Sequence, residues 1–219
     1  MRLGILGGTF DPIHLGHLRL AEEVGESTGL DRVFLIPAAL PPHKNRRPVS
    51  PFVHRMAMTR IAAEASPLLE ALDMEGKRQG LSYSIETLRE FHRIFNKGVE
   101  IFFILGMDAF LEIGTWKDYK SLFDYAHFVV IDRPGSQAED PEIFLVSLDL
   151  AFEKEEGEKM FVGPSGNHVI FKEATLMDIS STNIRKRVAG GLSIRFLVLE
   201  SVREYIVNNG LYRVYGDTR

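Results

Sequence analysis

The chain has no cysteine among its 219 residues. That absence excludes a disulfide framework, a thiolate zinc centre, an iron–sulfur cluster and a cysteine nucleophile, and it fits a reducing compartment such as the cytoplasm. No run approaches the roughly 20 apolar residues of a membrane span, and the apolar stretch after Met1-Arg2 is too short for a signal peptide. A soluble protein with no membrane partner is expected. Positive charge is also short overall: the net charge of −4 offers no general attraction to nucleic acid or to an anionic membrane. Internal repeats, coiled-coil heptads and low-complexity segments are missing from the pattern.

What remains is ordinary globular composition, 45% hydrophobic and 26% charged, with 15 Phe to fill a core. At about 150 residues per domain the length fits one domain with additions or two small ones. The charge is uneven along it. From Pro41 to Ala63 the charged residues are Lys44, Arg46, Arg47, Arg55 and Arg60, and from Ser180 to Arg195 they are Arg185, Lys186, Arg187 and Arg195. Two basic islands in an acidic chain point to a small anionic ligand. Glu139 to Lys159 is the opposite, with eight acids.

Short β-prone runs at Arg2–Leu6 and Arg32–Ile36 flank a helical pattern containing Ile13, Ala21 and Val24, which reads as a βαβ unit. Helices are expected over Phe52–Ala65, Ser84–Phe95 and around Lys117–Asp124, and one opening near Ser181. Strands are expected near Leu68–Leu72, over Val99–Leu105 and Ala126–Ile131, and at Val169–Phe171. The alternation implies an α/β fold with a doubly wound, mostly parallel sheet and a helical portion at the C-terminal end. Ligands of such sheets bind beyond the carboxyl ends of the strands. Gln137 to Gly166 is read as an insertion within a single domain spanning residues 1–219.

The first strand runs into Gly7-Gly8-Thr9-Phe10-Asp11-Pro12-Ile13-His14-Leu15-Gly16-His17 at the opening of a helix. Glycines admit close backbone approach, and the helix N-terminus offers free N–H groups and about half a positive charge, so this is a phosphate site by construction. His14 and His17, three apart, share a helix face and can donate to phosphate oxygens. The same pair could hold a metal, yet no third ligand lies nearby in sequence. A second element, Ile179-Ser180-Ser181-Thr182-Asn183-Ile184-Arg185, places hydroxyls at a helix start with a guanidinium one turn inside. The hydroxyls can simply cap the helix, or the group can hold a triphosphate tail.

The first string resembles the nucleotidylyltransferase signature of a Gly-rich turn followed by His-x-Gly-His. Further stretches narrow the resemblance: Pro37 to Lys44, Asp73 to Gly80 leading into Ser82-Tyr83-Ser84-Ile85-Glu86-Thr87-Leu88, Ile104-Leu105-Gly106-Met107-Asp108 with Trp116, and Arg133-Pro134-Gly135. Together they resemble the bacterial nicotinate-mononucleotide adenylyltransferases, over Met1 to about Gly135 and from Val169 to the end, including Tyr205 to Tyr212. Ser84 stands where that family more often has Thr, and Gln137 to Gly166 matches no motif of it.

The resemblance implies a Rossmann-like nucleotidylyltransferase fold and adenylyl transfer from ATP to nicotinate mononucleotide in NAD biosynthesis. His14, His17 and Lys44 would be catalytic. Gly7, Gly8, Thr9, Phe10, Gly106, Asp108, Ile179, Ser180, Ser181, Thr182 and Arg185 would bind ATP, and Tyr83, Thr87, Trp116 and Arg133 the mononucleotide. Mg²⁺ would ride on the ATP phosphates with no dedicated protein ligands. Generic roles stand beside these: Trp116 as core, Lys44 as a solvated loop residue, Asp108 as a helix cap, Arg185-Lys186-Arg187 as a nucleic-acid patch without aromatic interleaving. Rival activities are transfer to nicotinamide mononucleotide or another small acceptor, and a non-catalytic nucleotide-binding regulator. A homo-oligomer is compatible with the sequence.

Overall fold

A computed structural model describes residues 1–41, 49–95, 98–132, 141–155, 159–175 and 177–213. In chain order the elements are β1 (Arg2–Gly8), α1 (Leu15–Thr28), β2 (Arg32–Pro37), α2 (Phe52–Ala63), β3 (Leu69–Ala71), α3 (Ser84–Phe95), β4 (Glu100–Gly106), α4 (Met107–Leu111), α5 (Tyr119–Tyr125) and β5 (His127–Asp132). They continue with α6 (Pro141–Ser147), β6 (Glu153–Lys154), β7 (Met160–Val162), β8 (His168–Glu173), α7 (Ser181–Ala189) and α8 (Glu200–Asn208). One eight-stranded sheet has the order β3-β2-β1-β4-β5-β8-β7-β6. Pairing is parallel from β3 through β8, and β7 and β6 complete it antiparallel.

Period-two alternation along each strand divides the core between the two sheet faces. Ile101, Phe103 and Leu105 of β4 face one side, where α3 (Leu88, Phe91), α4 (Phe110), α5 (Leu122, Phe123) and α6 (Leu145) cover them. Phe102 and Ile104 face the other, under α1 (Leu18, Ala21, Val24), α2 (Met58, Ala62), α7 (Ile184) and α8 (Val202, Ile206). Burying a Leu or Phe side chain in such a layer stabilises by about 1.5–3 kcal/mol. The doubly wound, mostly parallel sheet expected from the alternation is therefore present.

β6 and β7 extend that sheet. Leu145 and Leu148 of the α6 segment and Phe161 of β7 are buried in the same core layer as β4 and β5. Short elements escaped the sequence reading: α4 and two 3₁₀ turns, Glu75–Lys77 and Ile113–Thr115. The helix expected to reach Ala65 ends at Ala63, where Arg60 lies in the last turn and complements the helix dipole.

Strand order reverses its direction of growth between β1 and β4: β2 and β3 lie to one side of β1, β4 and β5 to the other. The loops leaving these two neighbours go to opposite faces and open a crevice at their carboxyl ends.

Candidate active site

A crevice of about 1010 Å³ lies at that switch point, with Gly7, Gly8 and Thr9 from the end of β1 and Gly106 and Asp108 from the end of β4. That is the upper end of single-ligand pockets, so two nucleotide-sized groups have room in it. A Cβ on Gly7 would meet nothing within 4 Å, whereas one on Gly8 would stand 2.6 Å from the Phe10 ring. The first glycine therefore leaves open space facing the crevice, and the second lets Phe10 fold back beneath the loop. Phe10 takes φ +47 and is buried, its ring edge-on to His17 at 5.0 Å. It positions the imidazole and does not line the crevice.

His14 is the N-cap of α1, and the His14 and His17 rings stack at 3.6 Å. The His14 backbone N–H donates to His17 Nδ1 at 3.2 Å. That bond occupies the Nδ1 lone pair, so the neutral ring carries its proton on Nε2, as a donor. His17 lines the crevice; His14 lies behind it, and burial pushes its imidazole down to about 4, so it is neutral at pH 7. The intervening glycine is a spacing requirement, because a Cβ on Gly16 would approach His14 Nδ1 to 3.2 Å.

Beside the crevice a reciprocal pair joins the loop after β2 to the start of α3: Ser82 N–H donates to Leu40 O at 3.0 Å, and Leu40 N–H to Ser82 Oγ at 3.1 Å. Trp116 follows a 3₁₀ turn, lines the crevice and is half-buried, edge-on to Phe103 at 6.3 Å. Thr87 also lines it, but its hydroxyl donates to the buried Glu75 Oε1 at 2.7 Å and accepts from Arg78 Nη2 at 3.3 Å. Tyr83 stands outside the crevice lining, with Lys117 Nζ 4.9 Å from its ring centroid. Lys44 and Arg133 lie outside the described residues.

The second basic element packs beside the glycine-rich turn, outside the crevice lining. Ser180 caps α7 by accepting from Asn183 N–H at 3.2 Å. Ser181 Oγ donates to Pro12 O at 2.8 Å, Arg185 Nη1 to Asp11 O at 2.6 Å, and Arg185 Nη2 to Thr182 Oγ1 at 3.2 Å. Ile179 and Ser180 border a separate hollow of about 370 Å³ with Lys186 and Arg187. Capping and proximity to the turn are both realised, by different hydroxyls.

Sequence reasoning missed Arg55, which it counted only within a basic run. Its guanidinium is 2% exposed and donates to the carbonyls of Thr9, Ala38, Ala39 and Ser50 at 2.6–3.1 Å. Burial lowers its pKa, and Asp11 opposes that shift. One residue thus joins the loop after β1 to the loop after β2. Glu75 and Asp132 in the crevice wall were also missed. Among the described residues no group of three or more His, Asp or Glu is placed to hold a metal ion, and no helix is long and apolar enough to cross a membrane.

A family model described as "Cytidylyltransferase-like" matches residues 5–187. A Syntrophotalea carbinolica protein named "Probable nicotinate-nucleotide adenylyltransferase" is 46% identical over 214 residues, 97% of this chain and 98% of its own. A Geotalea daltonii protein of the same name is 44% identical over 220 residues, covering 100% of both chains. The solved structure "Plasmodium falciparum nicotinic acid mononucleotide adenylyltransferase complexed with NaAD" superposes with a TM-score of 0.68 at 19% identity, over 96% of this chain and 97% of that one. At that identity the likeness is one of fold.

Proposed function

The chain belongs to the cytidylyltransferase-like family and, within it, to the nicotinate-nucleotide adenylyltransferases, and we propose that the crevice carries out that transfer with the residues gathered around the end of β1. In the reaction the 5′-phosphate of nicotinate mononucleotide attacks the α-phosphorus of ATP. A P–O bond forms to the mononucleotide, the α–β bridge breaks, and nicotinate adenine dinucleotide and pyrophosphate leave. A phosphate monoester, with a second pKa near 6, is already ionised at neutral pH, so no general base is needed. Catalysis then reduces to positioning and to stabilising charge on the transferring group.

The observation that carries this reading is the His17 geometry. His17, its Nδ1 engaged by its own helix cap, lies in the crevice wall beside Gly7 and Gly8, and as a neutral ring it carries its proton on Nε2. His17 is therefore assigned the developing charge on the α-phosphoryl oxygens, with His14 as the neutral, buried support that holds it. Gly106 and Asp108 are assigned to the ATP ribose and Trp116 to stacking on the pyridine ring, worth about 1–3 kcal/mol by analogy with aromatic–base stacks. Arg185 and Ser181 are assigned to the departing pyrophosphate, and Lys44 and Arg133 keep their sequence-based assignments to phosphate and mononucleotide. ATP is taken as its magnesium complex. That metal would be held mainly by the ATP phosphates and would keep several of its waters.

The test is turnover of purified protein with magnesium ATP and either nicotinate or nicotinamide mononucleotide, quantifying pyrophosphate and dinucleotide. Strong preference for the acid is expected. Preference for the amide would retain the mechanism and overturn the acceptor, and absence of product with both would overturn adenylyl transfer to a pyridine nucleotide.

A further inference from the structure

Asp11, directly after Phe10, is 3% exposed and lies where four segments meet. Its Oδ1 accepts from the Tyr212 hydroxyl at 2.8 Å, and its Oδ2 from the Ser50 backbone N–H at 3.2 Å. Among the described residues Arg185 is the nearest cation, yet its Nη1 stands 3.9 Å from Oδ2, beyond hydrogen-bond reach, and donates to the Asp11 carbonyl. A buried carboxylate beside a guanidinium ordinarily forms a direct, bidentate pair. Here both carboxylate oxygens are taken by neutral donors instead. Burial and Asp11 raise the Tyr212 pKa far above its usual value, so the hydroxyl keeps its proton and remains a donor at any working pH. The two ends of the contact also sit at left-handed, non-glycine residues: Phe10 with φ +47 next to Asp11, and Tyr212 itself with φ +63. Such conformations cost free energy and persist only where the surroundings impose them.

We propose that Tyr212 and Asp11 form a positioning clamp that keeps the Asp11 carboxylate from hydrogen-bonding the Arg185 guanidinium, leaving its N–H groups available to the anionic phosphates bound at the glycine-rich turn. With Oδ1 tied to Tyr212 and Oδ2 to Ser50, the carboxylate plane is fixed and cannot rotate onto the Arg185 fork. The turn after α8, remote in sequence from the first strand, is by this route part of the phosphate end of the site. The inference rests on Arg185 meeting the phosphates of ATP, as assigned above.

Tyr212→Phe removes the donor and keeps the ring. Oδ1 is then free to take Arg185, and affinity for magnesium ATP, measured by titration calorimetry without acceptor, is expected to fall about tenfold, the scale of one hydrogen bond to a charged group. Adding Asp11→Asn to Tyr212→Phe removes the competing charge and should restore most of that affinity. A purely structural role predicts the opposite, since the double variant loses more native contacts. In an Arg185→Ala background Tyr212→Phe should change affinity less than about twofold. Unchanged affinity in Tyr212→Phe, a double variant weaker than the single, or an equal loss with and without Arg185 would each overturn the clamp. Turnover with nicotinate mononucleotide is read in the same proteins: its absence in the unaltered protein would overturn the acceptor reading alone, and the calorimetric comparison would still decide the clamp.

Discussion

His17 and Thr87 both line the crevice, and their hydrogen bonds separate their roles. His17 accepts at Nδ1 from the cap of α1, so its neutral ring carries the proton on Nε2, the nitrogen assigned to the phosphoryl oxygens. Replacing it with Ala should lower kcat by about 10²–10³, the cost of one transition-state donor, with KM for ATP changed far less. Steady-state kinetics on a variant with an unshifted thermal midpoint checks this, and near-normal kcat would remove His17 from its assigned role. Thr87 is different, because its proton already goes to Glu75. Thr87→Val should leave a buried carboxylate short of a donor and destabilise by about 1–3 kcal/mol, while Thr87→Ser retains the bond. Urea midpoints of the two variants distinguish them; equal midpoints would show that the hydroxyl does not hold Glu75.

At the scale of elements, α1 shows a helix shaped by its site more than by propensity. Gly16 lies in its first turn, where Ala would ordinarily stabilise an exposed helix by up to about 1 kcal/mol. A Cβ there would press on the His14 ring, with Met177 O also within 3.6 Å. Gly16→Ala should therefore lower kcat at least several-fold with little gain in the thermal midpoint; unchanged kcat with a raised midpoint would show that the ring stack has slack. The strands β1, β2, β4 and β5 were legible because buried parallel strands read as continuous apolar runs. β6 and β7, of two and three residues, are too short for alternation to register, and α4 is barely one turn. The acids around Leu145, Leu148 and Phe161 hid the fact that those three side chains belong to the core. The same limit held in the site: the contiguous string Gly7 to His17 was readable, whereas Arg55 and the Asp11–Tyr212 contact join residues far apart in sequence that only the sheet brings together.

For the whole molecule, burial of imidazoles at the start of α1 and of β5 contributes to how stability responds to acid. His14 lies behind the crevice, and burial holds it near 4 against a reference of 6.5. His127, at the start of the interior strand β5, is lowered first by burial and then by His168 beside it. Above pH 6.5 both rings are neutral whether the chain is folded or not, and their burial adds no pH dependence there. As the pH falls below 6.5 the unfolded chain takes up protons that the folded protein resists, so native stability declines with falling pH. For His14 the decline continues to about pH 4, where the native ring protonates as well, and amounts to about 3 kcal/mol in all. That is a large share of a typical folding free energy of about 5–15 kcal/mol. His14→Asn keeps a good N-cap residue for α1 and removes the titration. Urea midpoints at pH 7, 5.5 and 4.5 should fall more steeply in the unaltered protein than in the variant, with His127 and the carboxylates contributing equally to both. Parallel declines would show that His14 is as easily protonated in the folded protein as in the unfolded chain, and that the ring stack beneath the crevice is open to water.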